Sequence, residues 1–198
     1  GPSLRVVVAE EVFESDIPLP NVASMQTRAG RADRPEVDLR RLVAGFLRMA
    51  PDVAIVGEVR DREALPLLLT LSSGVKGFTT IHAGSARQAL TRLRFICQLA
   101  DTSNELPMSA LNNLVSEAVD VVVHCVRTPD GPRVATISCV EDLSASIDSG
   151  QFTMTDVFSR PSRDQPLTWT GNVPQRLTRA FNDVALDIRE ILSMEGDR

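Results

Sequence analysis

Two spacings of apolar residues alternate along this chain. Residues 4–9 are a short apolar run with three consecutive valines, which predicts a buried strand. Residues 53–56 are a second such run, closed by Gly57, and read as a central strand of a parallel sheet. A third buried strand is predicted over 78–81, after a turn at 74–77. Between these runs the spacing becomes helical. Over 36–49 the apolar positions are Val37, Leu39, Leu42, Val43, Phe46 and Leu47, and Pro51-Asp52 ends the pattern. A second helix is predicted over 62–72, with Asp61 as its N-cap and Pro66 tolerable only near the first turn. Ser85 with Gln88 three residues on is a capping-box pattern; it opens a helix whose apolar face is Ala89, Leu90, Leu93, Ile96, Cys97 and Leu99. A further helix covers 107–118. Residues 17–35 carry prolines, with Arg28, Arg31 and Arg34 at a spacing of three; they predict an irregular connection holding a short strand near 22–27.

The pattern changes at residue 119. Residues 119–127, a turn at 128–132 and residues 133–140 predict a β-hairpin. Residues 151–158 predict another strand, 159–172 a Pro/Ser/Gly-rich loop, and 173–194 a terminal helix. The fold class is therefore α/β: a parallel sheet flanked by helices, then an antiparallel β-meander and a C-terminal helix. Ligands of such a sheet bind at the C-terminal edge of its strands.

Composition narrows the function classes. The chain has 198 residues, 43% hydrophobic and 24% charged, which fits one domain or at most one and a half. The net charge is −5, whereas a protein held on nucleic acid by phosphate contacts is usually basic, so no direct nucleic-acid partner is expected. No apolar run approaches the ~20 residues of a membrane span. Cys97, Cys125 and Cys139 are odd in number and form no C-x-x-C, as expected for reduced thiols of a cytosolic protein. His82 and His124 lie far apart in sequence, which argues against a zinc site. Arginine is abundant, but Lys76 is the single lysine, so any chemistry demanding a lysine falls to it. Gly1-Pro2 reads as the scar of a cleaved purification tag; residues 1–3 are set apart, and the natural sequence is expected to start at about Ser3 or Leu4.

Three of the predicted strands end in polar residues. The first ends in Glu10-Glu11, the second in Gly57-Glu58-Val59-Arg60, the third in Thr79-Thr80-Ile81-His82-Ala83. In a parallel sheet all three ends face one edge. A carboxylate pair, a carboxylate with an arginine, and a hydroxyl–histidine group would then converge, an inventory suited to polarising a water and meeting an anion or Mg²⁺.

These segments resemble the boxes of the type II/type IV secretion ATPase superfamily. Met49-Ala50-Pro51-Asp52-Val53-Ala54-Ile55-Val56-Gly57-Glu58-Val59-Arg60 resembles its Walker B box, and Gly74-Val75-Lys76-Gly77-Phe78-Thr79-Thr80-Ile81-His82-Ala83 its His box. Ala9-Glu10-Glu11-Val12-Phe13-Glu14 stands where its Asp box stands, and Met25-Gln26-Thr27-Arg28 resembles an arginine-bearing segment between them. The wording is nearest to the branch that powers tight-adherence (Flp-type) pilus assembly, as is the hairpin after Leu114-Val115-Ser116-Glu117-Ala118-Val119-Asp120. The resemblance runs over about residues 4–190.

The resemblance implies a RecA-like fold and a role for each matched position. Glu10 would be the general base for the attacking water, with Glu11 beside it where the family often has Asp. Glu58 would be the Walker B acid, acting on Mg²⁺ through water, with Glu11 also Mg-associated. His82 would lie near the γ-phosphate, assisted by Thr80. Arg28, Arg48 and Arg60 are candidates to meet phosphate charge or to brace subunit contacts. The implied cofactors are ATP and Mg²⁺. The implied partners are five further copies in a homo-hexamer and the membrane-platform proteins of a pilus or secretion machine, with the ATPase cytoplasmic at the membrane's inner face.

No G-x-x-x-x-G-K-[ST] occurs in the chain, because Lys76 lies between Val75 and Gly77. The resemblance implies a P-loop just upstream of the first strand, so residues 4–158 are expected to be the C-terminal part of a RecA-like domain. The chain alone is then expected to bind ATP weakly or not at all, and to expose an apolar sheet edge. Three readings stand at this point. The first is part of a motor ATPase for pilus assembly or secretion. The second is a regulatory or scaffold subunit of such a ring that lacks a P-loop. The third is a different member of the superfamily, such as a conjugation or DNA-uptake ATPase.

Overall fold

The computed structural model of the chain describes residues 2–100, 106–142 and 151–193. These fall into two compact units: residues 1–82 with 92–118, and residues 83–91 with 119–198. Residue 1 and residues 194–198 lie outside the described residues, and so do the ends of the tag scar and terminal helix read from sequence.

The first unit is built on four parallel strands in the order β2-β1-β3-β4. They are β1 (Val6–Glu10), β2 (Val22–Gln26), β3 (Val53–Val56) and β4 (Lys76–Thr79). All five residues of β1 are buried, as the unbroken valine run requires of a strand flanked on both sides. The unit's helical elements are α1 (Leu39–Ala44), a 3₁₀ turn (Phe46–Met49), α2 (Ala64–Ser72) and α4 (Met108–Ala118), while α3 (Ala86–Ala100) belongs to this unit only from Arg92 onward. The interior is apolar: Val43, Phe46, Val56, Leu67, Leu68, Leu111 and Val115 are all but sealed from solvent. β4 is not the buried strand expected: it is an outer strand paired on one side only, Phe78 is 68% exposed, and Lys76 and Thr79 are exposed too.

Three boundaries differ from the sequence reading. The helix expected over 36–49 is α1 plus the 3₁₀ turn. Asp38 caps α1 by accepting from Arg41 N (2.8 Å), and Gly45 closes it. The turn then ends on Ala50 with φ 48°, because Pro51 disfavours the right-handed helical region for the residue before it. Asp61 does not cap α2. Glu63 holds the N-cap position, and its carboxylate accepts from Arg60 N (2.5 Å) and Asp61 N (2.8 Å), folding the preceding loop instead. Pro66 sits in the first turn, where no intrahelical N–H is needed. β4 starts two residues early, at Lys76 rather than Phe78. A Cβ on Gly77 would stand 2.4 Å from Leu71 Cδ2 and 2.6 Å from Ala54 O, so the expected turn glycine is a strand glycine pressed between α2 and β3.

The second unit is an antiparallel sheet in the order β5-β6-β7-β8. Its strands are β5 (Val121–Thr128), β6 (Gly131–Val140), β7 (Met154–Ser159) and β8 (Thr168–Trp169). The hairpin β5–β6 turns where Thr128-Pro129-Asp130-Gly131-Pro132 predicts, with Gly131 at φ 111°. The segment 159–172 is not all loop, since Phe158 and Ser159 pair with Trp169 and Thr168. Ser85 Oγ accepts from Gln88 N (3.2 Å), as the capping box predicts, although Gln88 Oε1 reaches Gly84 N (3.2 Å) one residue earlier.

The single terminal helix expected over 173–194 is two helices, α5 (Gln175–Asn182) and α6 (Ile188–Ser193). A Schellman motif ends α5: Leu186 N bonds Phe181 O (3.0 Å) and Ala185 N bonds Asn182 O (3.0 Å), with Ala185 at φ 56°. Ile188 and Leu192 of α6 then join Cys139 and Val157 in the small core of this unit, with Trp169, Val173, Leu177 and Phe181 against them.

Candidate active site

The parallel register fixes where the polar residues emerge. Val6 is opposite Val22 and Val53, and Val53 is opposite Lys76, so the four strands run level and end at one edge. Glu10 is the last residue of β1, Glu58 lies two past β3, and His82 lies three past β4.

An ion-paired cluster occupies that edge. Arg60 donates through Nη2 to Glu58 Oε2 at 2.5 Å and through Nη1 to Glu11 Oε2 at 3.4 Å. His82 Nε2 lies 3.2 Å from the other oxygen of Glu58. The Arg60 hydrogen bond holds the Glu58 carboxyl below the usual carboxylate range; the charges of Arg60, His82 and Arg92 act in the same direction, against a desolvation cost. Glu58 is thus kept ionised and partly sheltered. Arg60 itself is aimed by Glu63, which is buried and accepts the Arg60 and Asp61 backbone N–H groups.

Glu10 is handled differently from its neighbour Glu11. It is 4% exposed, and its carboxylate turns back on the loop that follows β1. Oε1 accepts from Ser15 Oγ (2.6 Å) and Ser15 N (3.1 Å), while among the described residues Oε2 meets only Glu14 N, at 3.5 Å. Gly57 forms the floor beneath it, because a Cβ there would stand 3.1 Å from Glu10 Cγ. The glycine therefore lets the Glu10 side chain lie against the backbone that carries Glu58.

The remaining sequence candidates divide. Thr80 ties the strand ends together: its Oγ1 donates to Gly57 O (2.7 Å) and its carbonyl accepts from Val59 N (2.9 Å). Arg28 emerges at the same sheet edge, just past β2, but its guanidinium donates to Pro35 O (3.3 Å). Arg48 is at the opposite edge. It lies in the 3₁₀ turn whose Met49 carbonyl accepts from Arg5 Nε (2.6 Å), and Arg5 precedes the start of β1. Sequence reasoning missed Ser15, Glu63 and Arg92. A carboxylate three residues past Arg60 and a hydroxyl five past Glu10 carry no periodic signal, and only the folded loops bring them to their partners.

Known proteins show the family of the chain. The profile of the family described as Type II/IV secretion system protein matches residues 2–163. The chain belongs to that family. Among its relatives, the probable conjugal transfer protein TrbB of Sinorhizobium fredii is 36% identical over 142 residues, 71% of this chain and 40% of that protein. The type IV secretion system protein VirB11 of Bartonella quintana is 27% identical over 134 residues, 67% of this chain and 38% of its own length. The crystal structure of the VirB11 ATPase from the Brucella suis type IV secretion system, in complex with sulphate, superposes with a TM-score of 0.60 at 26% identity. That match covers 69% of this chain and 40% of the VirB11 chain, and the shared architecture is RecA-like. The chain spans about two fifths of the length of the relatives it matches. Among the described residues, no helix is long and apolar enough to cross a membrane.

Proposed function

We propose that this chain carries the hydrolytic edge of a secretion-type ATPase, completed by a P-loop supplied from outside these 198 residues. The observation that carries the reading is the Glu11–Arg60–Glu58–His82 cluster at one sheet edge, on the segments that resemble the Asp, Walker B and His boxes. Glu10 takes a proton from the attacking water at a carboxylate oxygen. Glu58, held ionised by Arg60, helps orient that water. Arg60 and His82 are the N–H donors at the edge and meet phosphate charge, Arg60 by exchanging carboxylate for phosphate. Thr80 holds the His-box strand end against Gly57. Arg28 shares the edge and is the further phosphate candidate, whereas Arg48 at the other edge is left to brace contacts between subunits.

Mg²⁺ fits this donor set, since Glu58 and Glu11 are oxygen donors that already share one cation, the Arg60 guanidinium. When bound it would neutralise phosphate charge, with Glu58 acting through water. The proposed assembly is a ring of six copies at a membrane platform, and the narrower proposal within the family is the Flp-pilus branch, supported by the wording of the hairpin region. The assignments of ATP and Mg²⁺, and of inactivity for the chain alone, belong to the same proposal.

Steady-state ATP hydrolysis tests it. The measurement compares the 198-residue chain, the chain extended upstream through a P-loop, and that extension with Glu58→Gln. Hydrolysis is expected in the extended form alone, falling at least ~100-fold with Glu58→Gln. Hydrolysis by the short chain overturns the phosphate-binding account. A folded extended form without hydrolysis overturns the motor reading in favour of a regulatory subunit.

A further inference from the structure

We propose that Ser15 is the positioning residue of Glu10, setting which carboxylate oxygen accepts the proton. The inference rests on the reading of Glu10 as general base. It goes beyond that reading by naming a residue outside the Asp, Walker B and His boxes and giving it a mechanical task.

The two oxygens of Glu10 are unequally committed. Oε1 receives two hydrogen bonds from one residue, the Ser15 hydroxyl at 2.6 Å and the Ser15 amide at 3.1 Å. Among the described residues, Oε2 receives a single long one, from Glu14 N at 3.5 Å. A carboxylate oxygen with two short donors has little lone-pair capacity left, whereas its partner keeps nearly all of its own. Oε2 is therefore the oxygen free to take a proton from water. The side chain is also boxed in: it is 4% exposed, and Gly57 below admits no side chain without pressing on Glu10 Cγ. Ser15 clamps it through both backbone and side chain, fixing the terminal torsion that would otherwise exchange Oε1 for Oε2.

The clamp is local, because Glu14 and Ser15 are four and five residues beyond Glu10 and form one turn with it. Val12 and Phe13 stand at the tip of that turn, both more than half exposed. The loop is tied at two places: by the Glu10 carboxylate at Glu14 and Ser15, and at Glu11, whose carbonyl accepts from Thr27 Oγ1 (3.2 Å).

Two measurements test the clamp. In the 198-residue chain, the Ser15 amide should be protected from hydrogen exchange relative to the exposed Val12 and Phe13 amides, and the protection should vanish in Glu10→Ala. An unprotected Ser15 amide in the unaltered chain overturns the proposal without reference to catalysis. In the ATP-hydrolysing extended form, Ser15→Ala should lower kcat about tenfold with KM unchanged, and Ser15→Thr should restore it. A merely structural role would move KM and stability along with kcat and would not be rescued by threonine. Unchanged kcat in Ser15→Ala, while Glu10→Gln abolishes turnover, overturns this proposal alone. Unchanged turnover in Glu10→Gln overturns the role of Glu10 and the clamp together.

Discussion

Two nearly buried carboxylates close strands in the two units, and they are held in opposite ways. Glu10 ends β1 of the parallel sheet, and Glu141 directly follows β6 of the antiparallel one. Glu141 Oε1 accepts from Thr155 Oγ1 (2.6 Å) and Gln175 N (3.1 Å), and Oε2 from Arg176 N (2.9 Å). Those amides open α5, where a helix presents unpaired N–H groups and favours negative charge. Both oxygens of Glu141 are occupied by short bonds, from partners 14, 34 and 35 residues away. Glu10 has local partners and one oxygen almost unused. A saturated carboxylate fastens distant segments together, whereas an under-committed one keeps capacity for a proton. Burial alone does not separate the two roles; the distribution of donors does.

The largest effects come from exchanging the two carboxylates' chemistry. Glu10→Gln should reduce hydrolysis by the extended form ~100-fold or more while costing only about 1 kcal/mol of stability. Glu141→Ala should reverse the balance: about 3 kcal/mol of stability lost, read by denaturant midpoint, with kcat per folded molecule unchanged. Equal stability losses for the two variants would break the comparison.

Gly77→Ala comes next. A Cβ there meets Leu71 Cδ2 and Ala54 O inside ordinary contact distance, and the backbone oxygen cannot retreat as a side chain can. We expect a loss of about 2 kcal/mol in a urea melt. Gly74 and Gly171 have nothing near their hypothetical Cβ; their cost is the left-handed backbone alone, at φ 98° and 84°.

The thiols compare the two interiors. Burial, reinforced by the charge of Glu63, pushes the Cys97 thiol up to about 12. Burial with Glu141 and Asp120 pushes Cys139 up to about 11. Cys125 is exposed. At about pH 8 a thiol-exchange reagent should therefore modify Cys125 in the native chain and reach Cys97 and Cys139 only on unfolding.

The smallest effect belongs to the exposed edge. Glu58 has its carboxyl lowered by Arg60 in the folded state. Its contribution is thus fully present above the ordinary carboxylate range and is lost as pH falls through the lowered value. The difference in Tm between the unaltered chain and Arg60→Gln should shrink from about pH 6 towards about pH 3. A difference that grows towards acid would show that Arg60 does not stabilise the ionised carboxylate.

The sequence by itself determined the succession of elements: two apolar runs and a shorter third strand, each ending in polar residues, and a hairpin after residue 118. The first two are legible because a strand with neighbours on both sides tends to an unbroken apolar run, and parallel pairing sends the ends to one edge; β4, at the sheet edge, is exposed, contrary to the burial expected from the sequence. It also determined that Glu58, Arg60, Glu11 and His82 would share that edge. The tertiary structure alone decided what holds each of them. Asp61 yields the α2 N-cap position to Glu63 because the loop of Arg60 needs a buried acceptor. The terminal helix breaks at Ala185, where no glycine announces a left-handed residue, because Ile188 and Leu192 gain a core by turning back. Ser15 reaches Glu10, and Glu141 reaches α5, through loop closure and long-range packing. Spacing along a chain reports which face a side chain shares, but hydrogen-bond partners depend on distances that only the folded backbone sets.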